Sequence, residues 1–142
     1  MGGLRKLRRR SRSRQYEVEP LLPQQSFHVR KMSEVILDFA EPLLNAIDDD
    51  DELFEEVIGF AVICWNASFL PEKEQKQIFC SMVDGMAKSD VLLRLSVQND
   101  IRILLDRKKT FFADDKRMLI EFEVVKENGS RCLLAMSALI KD

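Results

Sequence analysis

Behind Ser33, a candidate helix N-cap, the apolar residues Val35, Ile36, Phe39, Leu43 and Ile47 recur at helical intervals, which predicts a helix. Pro42 interrupts it by deleting a backbone donor and crowding the preceding turn. The segment is therefore either kinked or divided into a short extended piece and a helix starting near Glu41. Residues 48–52 are all acidic and stand before the strongest helical pattern, where carboxylates cap free amides and meet the positive end of the helix dipole. Residues 53–69 form an amphipathic turn and then, over 57–65, a helix that is apolar on every side. Such a helix is expected at the centre of a core.

Pro71, Glu72 and Glu74 suit the first turn of the next helix. Its inner face is Ile78, Phe79, Met82, Val83 and Met86, with a Glu72–Lys76 pair outside. Asp90 caps a long helix whose inner stripe is Leu93, Val97, Ile101, Leu104 and Phe111, with Arg94, Gln98, Arg102 and Asp106 opposite. After Lys116 the period changes to two, and Asn128-Gly129 is the dipeptide best suited to a type I′ hairpin turn. A two-residue loop sets Phe122 opposite Ala135, Val124 opposite Leu133 and Ile120 opposite Ser137. Met118, Ile120, Phe122, Val124, Leu133, Ala135 and Leu139 then line the inner face, while Glu121, Glu123, Cys132, Leu134 and Met136 share the outer one. The expected fold is α+β and mostly helical. About four helices surround a buried central one, and an antiparallel β-hairpin closes the chain.

The net charge of −2 over 142 residues hides an asymmetry. Residues 1–31 carry nine Lys or Arg against two acids, hence +7, and residues 32–142 carry thirteen against twenty-two, hence −9. Seven cations and no carboxylate precede residue 15, Arg8, Arg9, Arg10, Arg12 and Arg14 among them, with too little apolar surface to fold. Residues 1–31 are therefore expected to be a disordered basic arm and linker, or an upstream extension preceding a natural start at Met32. Residues 32–142 are expected to be one compact domain. The arm has the charge to neutralise phosphates of nucleic acid, and its Arg- and Ser-rich, acid-poor composition also suits a targeting sequence. No apolar run follows the cations as a secretory signal requires, and the longest apolar stretch, 57–65, is about half a membrane span.

Catalytic groups are scarce. The single histidine, His28, lies in the linker, which disfavours a histidine triad, a multi-His metal site or a histidine base. Cys64, Cys80 and Cys132 are far apart and odd in number, so they read as apolar fillers in a reducing, cytoplasmic setting. No glycine pattern makes a phosphate cradle. A calcium loop opened at Asp48 would place Leu53 and Gly59 where Gly and Glu are needed. Asn66-Ala67-Ser68 and Asn128-Gly129-Ser130 match the glycosylation tripeptide, idle without a secretory signal. No cofactor or metal is expected, and enzyme activity, through carboxylates such as Glu121 and Glu123, ranks last.

Three groups stand above background. Trp65 and Asn66 mark where the buried helix turns polar. Arg107, Lys108 and Lys109 end the long helix; they complement its dipole or, in the sharper reading, bind an anion or RNA. Leu134 and Met136 make the outer hairpin face more apolar than a wetted surface. Because an isolated hairpin with open edges invites a partner, either residues 27–29 as a third strand or a second copy is expected against it, the latter giving a homodimer. The chain is accordingly read as a non-catalytic protein-interaction or regulatory module that binds another protein through the hairpin or its acidic surface. The alternative is a nucleic-acid-associated protein that uses its basic arm.

Overall fold

A computed structural model of the chain describes residues 30–140. The readings placed on the basic arm, His28 and the third strand at 27–29 lie outside the described residues. Among the described residues, five helices precede a two-stranded antiparallel sheet: α1 (Met32–Phe39), α2 (Glu41–Leu44), α3 (Asp51–Ala67), α4 (Glu72–Ala87), α5 (Val91–Phe111), β1 (Arg117–Glu127) and β2 (Ser130–Leu139). The fold is mostly helical α+β. By compactness the described residues divide into two units, 30–37 with 116–140, and 38–115.

Local chemistry sets the helix ends. Pro42 divides the first segment: α1 stops at Phe39 and α2 begins at Glu41, so the first piece is helical and not extended. Ser33 is not the cap of α1, which opens one residue earlier, with the Val35 amide donating to the Lys31 carbonyl at 3.0 Å. The Asp50 carboxylate caps α3, accepting from the Glu52 and Leu53 amides at 2.9 and 3.0 Å, and Asp90 caps α5 through the Leu93 amide at 3.0 Å. Glu72 and Lys76 pair on the exposed face of α4 at 3.8 Å.

Helix α3 is central to the 38–115 unit and packs on α2, α4 and α5. It buries Ile58, Phe60, Ala61, Val62, Cys64 and Trp65, yet Ile63 is 44% exposed, so its apolar girdle is covered on most sides and not all. Two further inner stripes shift. On α4, Val83 and Ala87 are buried and Met86 is exposed. On α5 the buried stripe runs Val97, Ile101, Leu104, Lys108; Leu93 and Phe111, expected in it, are exposed, and Phe112, just past the helix, is buried in place of Phe111. The spacing of four, three and four is that of an inner helix face, and its last position is a lysine.

In the other unit, Asn128 (φ 52°) and Gly129 (φ 80°) form the two-residue turn, both in the left-handed region that a type I′ turn requires. From Glu121 to Glu127 the register is the expected one, with Phe122 opposite Ala135 and Val124 opposite Leu133. A bulge at Ile120 then shifts β1 by one residue, so that Leu119, not Ile120, faces Ser137. The shift exchanges faces: Arg117 and Leu119 are buried, whereas Ile120 is 59% exposed. The buried Arg117 guanidinium donates to the Arg30 carbonyl at 2.9 Å. Leu139, expected inside, is exposed.

Candidate interaction surfaces

The sequence candidates of the 38–115 unit converge on one aromatic cluster. Trp65 is fully buried at the end of α3, where the all-apolar stretch of the helix turns it inward. The Phe39 ring meets it edge-on at 5.1 Å, Phe112 at 5.7 Å and Phe69 at 6.4 Å. The Lys108 ammonium lies 4.6 Å from the centre of the Trp65 ring and 4.6 Å from that of Phe69, and it donates to the carbonyls of Phe112 at 3.0 Å and Asp115 at 3.3 Å. A buried cation is tolerable only when both charge and donors are satisfied. Ring faces and helix-terminal carbonyls do both here.

Arg107 points elsewhere. Its Nε and Nη2 donate to the Phe39 and Asp38 carbonyls at 3.1 and 2.7 Å, it approaches the Asp38 carboxylate at 3.5 Å, and it lies over Phe111 and Phe112. These are carbonyls of the last turn of α1, which has no following turn to bond them. Arg107 therefore caps that helix from a position 68 residues away in sequence. Of the three cations that end α5, only Lys109 is exposed, so they point to separate places and form no single patch. Asn66 is half-buried on the last turn of α3. The polar end of that helix is closed by the Ser68 hydroxyl donating to the Trp65 carbonyl at 2.6 Å and by the Gln75 amide donating to the Leu70 carbonyl at 2.9 Å.

Burial pushes the Cys64 thiol up to about 12, with the Asp100 charge adding to the effect, so at neutral pH it is an un-ionised core residue. The Asp100 carboxyl on α5 is itself raised above 3.8 by burial. The folded state holds this proton more tightly than the unfolded chain. The contribution is therefore fully present below pH 3.8 and is lost as pH rises through the raised value. Asp100→Asn removes this partly buried charge. It is expected to raise the melting temperature at pH 7 and to leave it close to the parent's at pH 3, as read by paired thermal melts.

The exposed apolar side chains lie elsewhere. On the hairpin, Leu134 (46% exposed), Met136 (41% exposed) and Cys132 stand in one column of β2, opposite Glu123, Glu121 and Val125 of β1. In the 38–115 unit, Val91 and Leu92 lie four and three residues before Leu95 on the first two turns of α5, and all three are exposed, Leu92 at 79%. The sequence reading missed this second group. Its only signal was the run Val91-Leu92-Leu93 followed by Leu95, more apolar residues than one inner stripe accommodates.

Among the described residues, no group of three or more His, Cys, Asp or Glu side chains is placed to hold a metal ion, and no helix is long and apolar enough to cross a membrane. No family model, curated protein or solved structure matches the chain.

Proposed function

We propose that this chain is a non-catalytic protein-interaction module that binds another protein through exposed apolar side chains. The observation that supports this most is the group Val91, Leu92 and Leu95, large apolar residues open to water on a helix whose opposite stripe is already buried. Apolar groups left together on a surface gain free energy when a partner removes them from water, at about 25 cal/mol per Å² of area covered. The titratable groups with raised values, Cys64 and Asp100, are set by burial and fit a packed core as readily as a reaction site. Three free cysteines suit a reducing compartment, which favours the cytoplasm.

The test is chemical cross-linking in extract of the native cell with the full chain and with its Leu92→Ser, Leu95→Ser double variant. A partner recovered by the parent and lost with the variant, at matched thermal stability, is the expected result. Identical recoveries from both would overturn the reading.

A second reading is favoured by the seven cations before residue 15, which would bind nucleic acid without sequence preference and with steep salt dependence. Residues 32–142, at −9, oppose it by repelling phosphates. Removal of residues 1–31 separates the two. Partner binding is unchanged on the first reading and lost on the second.

A further inference from the structure

The two edges of the hairpin differ in a way that bears on what can pair with them. Among the described residues the sheet consists of β1 and β2, and two strands are marginal in water. β1 carries the features that discourage edge pairing: the bulge at Ile120 interrupts its line, and Glu121, Glu123, Lys126 and Glu127 charge it. β2 carries none of them between Cys132 and Leu139, a run with no charge, no proline, no glycine and no register shift of its own. In a two-residue hairpin the pair flanking the turn, Glu127 and Ser130, is hydrogen-bonded. Alternation from it directs the amide and carbonyl of Leu133 and of Ala135 away from β1.

We propose that β2 pairs antiparallel with β2 of a second copy of this chain, joining two hairpins into a four-stranded sheet. Charge selects this occupant. β2 against β2 sets no like charges side by side over the uncharged run, whereas β1 against β1 gathers the glutamates of both copies. A two-fold axis also brings the exposed Cys132, Leu134 and Met136 column of one copy beside that of the other on the same sheet face, covering apolar area that each hairpin alone leaves wet. The inference goes beyond the partner proposed for α5 and uses a different surface, so either can fail without the other.

Sedimentation of the full chain over a concentration series, with amide exchange followed at Leu133 and Ala135, tests it. The expected result is a shift from monomer to dimer mass with rising concentration, accompanied by slowed exchange at both amides. Leu134→Lys with Met136→Lys sets four ammonium groups together across the axis while leaving the buried face untouched, and is expected to abolish the dimer. Ala135→Pro deletes only an outward-pointing donor and is expected to do the same, with far-UV circular dichroism confirming that the hairpin persists in both variants. Monomer at every concentration overturns the proposal, including monomer with both amides already protected, which would mean that the same chain covers the edge. A dimer that survives the lysine pair, or that leaves the two amides unprotected, overturns it equally.

Discussion

Trp65→Ala is expected to lower the unfolding free energy by about 3–5 kcal/mol, the range for removing a large buried aromatic. The side chain is fully enclosed, and three rings, Phe39, Phe69 and Phe112, rest edge-on against it. Each such pair adds about 0.5–1.5 kcal/mol beyond the area it buries. The loss is larger than at a residue serving one helix, because the three phenylalanines come from the end of α1, the turn after α3 and the turn after α5. Removing the indole leaves a cavity between helix ends, and the surrounding structure relaxes into such a space only in part. Chemical denaturation followed by far-UV circular dichroism reads the change. A midpoint within error of the parent's would mean that the cluster does not hold the 38–115 unit together.

Lys108→Ala is expected to cost about 2–4 kcal/mol, with Lys108→Met costing about half as much. The alanine removes a charge-assisted pair of hydrogen bonds to the Phe112 and Asp115 carbonyls and empties the space of the aliphatic stem. Methionine refills the stem's volume but restores neither of the two hydrogen bonds from the ammonium. The difference between the two variants measures packing, and what remains in the methionine variant measures the ammonium, less the desolvation it no longer incurs. Trp65 is the only tryptophan, so its emission reports on the site directly. Loss of a cation 4.6 Å from the ring is expected to change native-state intensity in both variants, an effect that a purely volumetric role of Lys108 would not produce. A methionine variant as stable as the parent, with unchanged emission, would show that the charge contributes nothing.

Much of the architecture was legible because it depends on neighbours in sequence. Asp50 and Asp90 cap helices through amides two or three residues on. Glu72 and Lys76 pair one helical turn apart. Asn128 and Gly129 supply two positive φ angles in succession, and the register from Glu121 to Glu127 follows from the length of that turn. The candidates at the end of α5 were legible as cations but not as individuals. Adjacent on the helix, Arg107, Lys108 and Lys109 point about 100° apart, so one caps α1, one enters the aromatic cluster and one reaches water. Nothing in their shared charge distinguishes these fates. Likewise, the spacing that marks Val97, Ile101 and Leu104 as buried extends to residue 108, but a rule that sorts residues by polarity passes over a lysine there.

The sequence by itself determined where most helices and the hairpin begin and end, because a cap, a proline or a left-handed turn acts within one turn of backbone. Only the tertiary structure decided which apolar residues are covered. Burial of Phe39, Trp65 and Phe112 requires segments separated by 26 and 47 positions to meet, and the exposure of Leu92 and Ile63 records sides that no other described segment covers. The bulge at Ile120 belongs with these. A single inserted residue costs little locally, but it exchanges the two faces of β1, burying Leu119 and Arg117 where alternation alone would have placed Met118 and Ile120.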